Sequence, residues 1–298
     1  MTRGDAVRIR LIDIDSRLPN IALMKLSAYY KSRGHTISFD EPEPDRVYVS
    51  VIFKENAWKA KAQYQMFPNA EVIVGGSGVD LQKRLPDAIE YCKPDYDLYP
   101  SSKSQGFASR GCVRNCEFCI VPIKEGRIKP AQHPAEFHDD RFKTCMLMDN
   151  NLFAAPRPYV RDVFKWFIDS GIRMDMTQGF DIRLLNEEYA GLLAEVKHET
   201  SIRFAWDNIN DQEKIDNGIK LLKDAGINLK QWVSFYVLCG FNTTFEQDLY
   251  RCNHLRELGA NSYVMQYRRG RQGDPELRKL AKWANRRWAY WSGPYITA

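Results

Sequence analysis

Short β-branched runs alternate with amphipathic helical stretches along nearly the whole chain, beginning with the strand-like segment VRIRLIDID. This alternation is typical of α/β architecture with a largely parallel sheet. The early part of the chain contains four such runs and one clear helix, whose one side carries Ile21, Met24 and Ala28. Residues 1–100 therefore predict a small doubly wound, Rossmann-like domain, which ends at a connection rich in proline and serine.

A second repeating pattern of strand-like and helical segments begins near Gln105. Strand-like segments then recur about every 30 residues, as βα units do, at GFASR, KTCMLMD, IRMDMTQ, SIRFAWD, QWVSFYVL and NSYVMQY. Six βα units predict a partial (β/α)6 TIM-like barrel over residues 101–270. In such a barrel the carboxyl ends of the strands and the loops that follow them carry the chemistry.

The C-terminal residues 271–298 predict a helical extension. Asp274 and Pro275 form a good N-cap and first-turn pair. Apolar side chains then recur at helical spacing and predict one packed face: Leu277, Ala281, Ala284, Trp288 and Trp291.

Composition narrows the class of protein. The chain has 298 residues, of which 44% are hydrophobic and 12% aromatic, and this excludes a disordered or fibrous protein. A net charge of +5 is too small, spread over the whole chain, to indicate a nucleic-acid or membrane partner by itself. No stretch approaches the roughly 18 apolar residues of a membrane helix, and no apolar leader is evident. We therefore expect a cytoplasmic protein without a membrane partner.

Three of the seven cysteines, Cys112, Cys116 and Cys119, crowd into the segment GCVRNCEFC. An odd number of cysteines in a long chain argues against a disulfide framework. A structural zinc site wants four ligands, usually as two pairs, and the sequence has no second pair. Three thiolates in one loop suit a [4Fe–4S] cluster, in which one iron is left without a protein ligand.

The C-x3-C-x2-C spacing, placed after the first strand of a βα barrel, resembles the radical S-adenosylmethionine (radical SAM) superfamily. The resemblance implies an enzyme in which Cys112, Cys116 and Cys119 bind the cluster and SAM chelates the free iron. One electron would then cleave SAM, giving methionine and a 5′-deoxyadenosyl radical that abstracts hydrogen from substrate. It also implies an electron donor such as flavodoxin or ferredoxin. The substrate is expected to be polar and is not identified.

By the same resemblance, Phe118 matches an aromatic residue whose backbone lies near the SAM adenine. Asp149-Asn150-Asn151 stands in the place of a motif, usually Gly-Gly-Glu, that binds the SAM amino group. The full set of implied cofactor-binding residues is Phe118, Asp149, Asn150, Asn151, Arg183, Asp207, Gly240 and Gln266.

Cys239 ends the fifth predicted barrel strand, at the end of the barrel where we expect the chemistry. We therefore consider it as a hydrogen-atom donor or covalent carrier. Nearby, Thr243 and Glu246 fit a helix capping box, which is an alternative to a cofactor role for those two residues. The candidates for a polar substrate pocket are Gln178, Asp181, Asp207, Asn242 and Arg268.

The first domain resembles the cobalamin-binding-type domain that precedes the barrel in one branch of the superfamily. PNIALMKLSAYYKSRGH, VYVSVIF and VIVGGSG carry this resemblance, and the glycines match a loop that lines the nucleotide tail of cobalamin there. The Asp-x-His-x-x-Gly loop of that branch is absent after LIDID, so we do not expect bound cobalamin. A scaffold that covers the barrel or holds substrate is the alternative.

Two further functions stay open. One is radical SAM transfer of a methyl or methylthio group to tRNA or another macromolecule. The other is a non-catalytic Fe–S or zinc module that binds nucleic acid through the basic, tryptophan-rich segment YRRGRQGDPELRKLAKWANRRWAYW. The helical spacing of that segment favours a packed helix over a nucleic-acid surface.

Overall fold

The computed structural model describes residues 6–267 and 273–296. Within them, the prediction of mixed α/β architecture with parallel sheets is confirmed. The N-terminal elements are β1 (Arg8–Asp13), α1 (Ile21–Lys31), β2 (Thr36–Ser38), β3 (Arg46–Ser50), α2 (Ala57–Met66), β4 (Glu71–Gly75) and α3 (Asp87–Glu90). All four strands are parallel, in the order β2-β1-β3-β4.

Apolar side chains cover both faces of this first sheet. Ile9 and Leu11 of β1 contribute to one buried cluster with α1, while Val47 and Val49 of β3 contribute to another with α2. Asn20 caps helix α1. Its side-chain oxygen accepts hydrogen bonds from the backbone amides of Ala22 and Leu23, in the first turn of the helix.

The remaining elements follow the second predicted pattern. They are β5 (Ser104–Gly106), β6 (Ser109–Arg110), α4 (Val121–Lys124), β7 (Lys129–Pro130), α5 (Pro134–Phe137), β8 (Thr144–Leu147), α6 (Arg157–Ser170), β9 (Arg173–Met176), α7 (Glu187–Glu195), β10 (Ile202–Ala205), α8 (Gln212–Asp224), α9 (Leu229–Trp232), β11 (Val233–Cys239), α10 (Phe245–Glu257), β12 (Asn261–Gln266), α11 (Pro275–Ala284) and α12 (Arg287–Ser292).

Six of these strands form two parallel sheets, β5-β8-β9 and β10-β11-β12. Isolated parallel bridges, Met174 with His198 and Phe180 with Phe204, connect the two sheets. The six carboxyl ends therefore point the same way, and the loops that follow them share one side of the molecule. Closure into a partial barrel, and the division into three domains, stay predictions.

The cap of α10 lies one residue later than predicted. Thr244 caps the helix and forms a capping box with Gln247, so the expected pairing of Thr243 with Glu246 is wrong. The Thr243 hydroxyl instead accepts a hydrogen bond from the Gly240 backbone amide, at 3.2 Å.

The C-terminal extension begins as predicted, with Asp274 capping α11. The helix then breaks at Asn285, whose side chain bonds the backbone amide and carbonyl of Val264 at 2.7 and 3.1 Å. The break turns Tyr290 into the core and leaves Trp288 73% exposed, so the predicted packed position of Trp288 is wrong. Among the helices of residues 6–267 and 273–296, none is long and apolar enough to cross a membrane.

Candidate functional site

The three clustered cysteines lie in a loop between β6 and β7. Hydrogen bonds join the two ends of this loop. The Gly111 amide donates to the Glu125 carboxylate at 2.9 Å, and the Cys112 amide donates to the Gly126 carbonyl at 3.2 Å. Gly111 has φ of +85°, and a Cβ there would meet a backbone carbonyl oxygen of the closing segment at 2.4 Å. The closure therefore requires glycine at this position.

Two of the three sulfurs accept hydrogen bonds. Cys112 Sγ accepts the Arg114 backbone amide at 3.3 Å and the Asn151 side-chain amide at 3.4 Å. Cys119 Sγ accepts the Val121 backbone amide at 3.5 Å. Donors of this kind stabilise a thiolate, and they tune the reduction potential of an iron–sulfur cluster.

The electrostatics of the loop change with metal binding. Burial raises the pKa of the Cys116 and Cys119 thiols, and the neighbouring loop cysteines raise it further. The Arg183 guanidinium acts in the opposite direction on Cys116. A metal overrides these effects, because a coordinating thiol is deprotonated outright.

The donor set fits a [4Fe–4S] cluster: three free thiols stand on one loop, with amide donors on two of them. Within the described ranges, no three His, Cys, Asp or Glu side chains surround one point as ligands of a single metal ion. In a cubane the three thiolates would each bind a different iron.

A cavity of about 530 Å³ opens beside this loop, where the strands end. Phe118, Arg183 and Asp207, three of the predicted cofactor residues, line it together with Cys116. Mostly polar side chains complete the lining: Asn115, Glu117, Asn208, Ile209, Asn210, Asp211, Phe241, Asn242, Thr243 and Gln247. Its size falls within the usual range for small-molecule sites.

A charged network connects the cysteine loop to the residues after β9. Arg183 Nε donates to Asp181 at 2.6 Å, and its Nη1 donates to Asp211 at 3.1 Å. Arg114, between the first two loop cysteines, donates to the second oxygen of Asp181 at 2.8 Å. Burial opposes ionisation of Asp181, but the two guanidinium groups hold its pKa below the ordinary value. Arg183 is thus fixed in place at the cavity wall.

Asp207 follows β10 and faces the cavity. Burial raises its pKa, and the Arg251 guanidinium opposes that rise. Arg251 is fully buried, donates to the carbonyls of Trp206 and Leu238, and pairs with buried Asp248 at 2.6 Å. One buried ion pair therefore holds the ends of β10 and β11 together beneath Asp207.

Asp149 does not reach the cavity. It is fully buried, and its carboxylate accepts the backbone amides of Ala108 and Ser109 and the Ser109 hydroxyl. Burial raises the pKa of Asp149 to about 6, against the effect of these donors. Its place is beneath the cysteine loop, where it connects β8 to β6.

The next two residues have different surroundings. Asn150 donates to Glu125 at 2.8 Å and so braces the closing segment of the loop. Asn151 is 2% exposed and donates to Cys112 Sγ, while its side-chain oxygen is buried without a hydrogen-bond partner among the described residues. Of the predicted triplet, Asn151 is the residue that offers an unused acceptor beside the cysteines.

The loop after β11 is strained where it borders the cavity. Gly240 and Asn242 both have positive φ, +77° and +52°, and Asn242 is the non-glycine residue of the described chain with this conformation. Between them, the Phe241 ring contacts Phe118 and Tyr267, with ring centroids 5.2 and 4.7 Å apart. Strain of this kind concentrates at binding sites.

Several predicted residues are not brought to the cavity. Cys239 is fully buried, and its thiol donates to the Val237 carbonyl at 3.4 Å. Gln266 pairs with Cys239 in the sheet and does not line the cavity. Of the substrate-pocket candidates, Asp207 and Asn242 line it, whereas Gln178 and Asp181 do not. Arg268 lies outside the described residues.

The glycines of the first domain were expected to match a cobalamin loop. A Cβ on Gly76 would meet the Val51 carbonyl oxygen at 2.2 Å, and one on Gly78 would meet the Phe53 carbonyl oxygen at 2.7 Å. The chain's own backbone therefore fills the space that these glycines leave. This packing accounts for glycine at these two positions, and the absence of cobalamin stays a prediction.

Sequence reasoning missed Arg114 and Phe241. Arg114 finds its partner Asp181 67 positions away, so the sequence carries no local sign of the pairing. The segment Gly240-Phe241-Asn242 does carry a signal, because glycine and asparagine are the residues that most readily accept positive φ.

Comparisons with known proteins find a likeness in structure but none in sequence. No family model matches the chain, and no curated protein matches its sequence. Among solved structures, the chain resembles a radical SAM methyltransferase, TsrM from Kitasatospora setae, determined with cobalamin and a [4Fe–4S] cluster bound. The TM-score is 0.65 at 13% identity, over 88% of this chain and 75% of that one. The likeness shows that the chain shares the fold of that protein.

Proposed function

We propose that this protein is a radical SAM enzyme. One observation carries the proposal: a closed loop presents Cys112, Cys116 and Cys119 beside a polar cavity of about 530 Å³, and Cys116 itself lines that cavity. Three thiolates can hold a [4Fe–4S] cluster and leave one iron for a small ligand. When bound, such a cluster supplies the single electron that cleaves SAM.

The residues of the cavity would bind and orient SAM. Arg183 is a fixed cation, and Asp207 is a half-buried carboxylate able to accept hydrogen bonds from hydroxyl or amino groups. Asn151 lies beside Cys112 and not on the cavity lining, and its unpartnered oxygen would suit a donor such as the amino group of SAM bound at the cluster. Phe118 and Phe241 supply an apolar wall against which an adenine ring can pack. The protein thus positions the cofactor and excludes water.

We further propose hydrogen abstraction from a polar substrate as the reaction. Most of the other residues that line the cavity are polar: several amides, the Thr243 hydroxyl, and the carboxylates of Glu117 and Asp211. Methyl transfer would require a carrier thiol or a seat for cobalamin. Cys239 is buried in the core, which argues against it as the carrier, and we propose that cobalamin is not bound because the Asp-x-His-x-x-Gly loop is absent after LIDID.

The decisive experiment is SAM cleavage by anaerobically reconstituted protein with dithionite. A flavodoxin or ferredoxin, the class of electron donor we propose for the cell, can replace the dithionite. We expect 5′-deoxyadenosine and methionine from the wild type and none above background from Cys116→Ala. Cys92→Ala is the matched control, because Cys92 lies outside the loop and the cavity lining. It should cleave SAM at the wild-type rate.

The same assay separates an enzyme from a metal module without catalysis. A module would bind iron or zinc and yield no 5′-deoxyadenosine from wild-type protein. That result, obtained with protein shown to hold a full cluster, would contradict the proposed function. Equal cleavage by Cys116→Ala and the wild type would contradict the assigned ligands.

A further inference from the structure

A basic groove lies on the exposed side of the C-terminal extension. Lys279, Lys282 and Arg286 are spaced by three and four residues, so they form one stripe along α11 and the turn after it. The groove has a volume of about 200 Å³ and is lined by these three cations with Trp283, Trp288 and Ala289. It shares no residue with the cavity beside the cysteine loop.

The cations of this groove are not neutralised locally. No ion pair within residues 6–267 and 273–296 includes Lys279, Lys282 or Arg286. Residues 273–296 contain five basic and two acidic residues, and both acids stand at the N-terminal end of α11, away from the turn. A surface with this balance is complementary to an anion.

An aromatic ring completes the groove. Trp288 is 73% exposed, because the helix break at Asn285 turns it outward while Tyr290 takes the buried position. Exposed large aromatic rings beside cations are typical of single-stranded nucleic-acid sites, in which bases stack on the rings and phosphates contact the cations. An acidic peptide would satisfy the cations and leave the indole face unused.

We propose that this groove binds single-stranded nucleic acid. A base stacks on Trp288, and the adjacent phosphates are held by Lys279, Lys282 and Arg286. The site is independent of the cluster and of SAM, so it can be tested in the full-length protein whatever the outcome of the cleavage assay. It also changes the interpretation of the tail: the buried face packs, as the helical spacing predicts, and the opposite face binds.

The test measures fluorescence anisotropy of a labelled oligouridylate of about twelve nucleotides with full-length protein at about 50 and 200 mM salt. We expect affinity to fall steeply with salt. Lys279→Glu/Lys282→Glu should weaken binding at least about tenfold at the lower salt and flatten the salt dependence. The matched control is Lys220→Glu/Lys223→Glu, which makes the same charge change at the same spacing on exposed positions of α8.

Stacking is tested separately. Trp288→Ala should weaken binding at least about fivefold. Trp58→Ala, which removes another exposed indole (66% exposed), should leave binding unchanged. Equal losses in the two lysine pairs, equal effects of the two tryptophan variants, or no binding by the wild type would each overturn the proposal. So would displacement of the oligonucleotide by an oligoglutamate peptide at comparable concentration, because the groove would then be a general anion surface.

Discussion

The N-terminal sheet and the six-stranded region differ in what the polar groups at their strand ends contact. After β1, the Asp15 carboxylate accepts the backbone amides of Ile52 and Phe53 at 2.7 and 3.1 Å and the Asn56 amide at 2.9 Å. After β4, Gly76 brings the chain into direct contact with the backbone after β3. The loops of this sheet therefore hold one another together.

In the six-stranded region, the corresponding groups border open space. Asp207, Asn208 and Asn242 line the cavity, and the Asn151 oxygen has no partner among the described residues. The buried pair of Asp248 and Arg251 holds the ends of β10 and β11 together beneath Asp207, and the Asn208 side chain also accepts a hydrogen bond from the Asn210 backbone amide at 3.0 Å. The comparison teaches that the same parallel topology can close its strand-end loops by internal pairing or leave strand-end side chains facing a cavity.

The largest effect is expected at Gly76. Gly76→Ala places a methyl group against the Val51 carbonyl in a left-handed backbone, and we expect the free energy of unfolding to fall by about 3 kcal/mol. Gly34→Ala is the matched control, because Gly34 also has positive φ but nothing lies within 4 Å of the added Cβ. It should cost about 1 kcal/mol. Urea denaturation of the apoprotein measures both, and equal losses would contradict the backbone-contact role of Gly76.

The next effect concerns the cavity. Arg183→Met removes a fixed cation at the wall, and we expect SAM affinity of the reconstituted protein to fall by about ten- to hundredfold. Arg203→Met is the control: Arg203 also pairs with a buried carboxylate, Asp175, but does not line the cavity. Equilibrium binding of SAM measures the effect. Equal affinity of Arg183→Met and the wild type would remove Arg183 from the cofactor site.

A third effect tests the internal pairing of the N-terminal sheet. Asp15→Ala leaves the amides of Ile52 and Phe53 without their acceptor, and we expect a loss of about 2 kcal/mol in the free energy of unfolding. SAM affinity should not change, because Asp15 does not line the cavity. A loss of SAM affinity without a loss of stability would reverse the roles that we give to the two regions.

The contribution of Asp15 to the free energy of unfolding also depends on pH. Burial alone would raise the pKa of Asp15, but its hydrogen-bond donors lower it below the ordinary value of 3.8. A lowered pKa contributes stability that is present above 3.8 and is lost as pH falls through the pKa of the folded state. The difference between wild type and Asp15→Ala apoprotein should therefore shrink as pH falls below about 3.8. A difference that grows in acid would contradict this assignment.

The smallest effect distinguishes two adjacent threonines. Thr244→Ala removes the cap of α10 and should cost about 1 kcal/mol in the free energy of unfolding, measured by urea denaturation. Thr243→Ala should cost less, because the Gly240 amide that it releases still has Asp248 as an acceptor. A larger loss of stability in Thr243→Ala than in Thr244→Ala would contradict this assignment and favour Thr243 as the cap.

Much of the fold followed from the sequence because each strand carries its own pattern. The strand at Val233–Cys239 and the helix cap at Asp274 were predicted correctly from local residues. The position of Trp288 was not, because the break in the helix depends on the contact of Asn285 with Val264, a residue that is distant in sequence. Helical spacing cannot show where a helix is interrupted by such a contact.

The candidate site was predicted in part. Phe118, Arg183 and Asp207, which the resemblance to the radical SAM superfamily implied, line the cavity, and their role in binding a cofactor stays a prediction. The burial of Cys239 follows from the alternation of β11, because Cys239 shares a face with Val233, Phe235 and Val237, but its position at the strand end suggested the cavity instead. The use of Asp149 to connect β8 with β6 also depends on contacts across about forty residues.

The central claim is that the cluster keeps one iron open for SAM. Electron–nuclear double resonance of the reduced, reconstituted protein with SAM labelled at the methionyl amino nitrogen and carboxylate oxygen tests it most directly. We predict a [4Fe–4S] signal that shifts on SAM addition and shows hyperfine coupling to both labels. A fully coordinated cluster without coupling to either label, or a single tetrahedral metal ion in place of the cluster, would contradict the account.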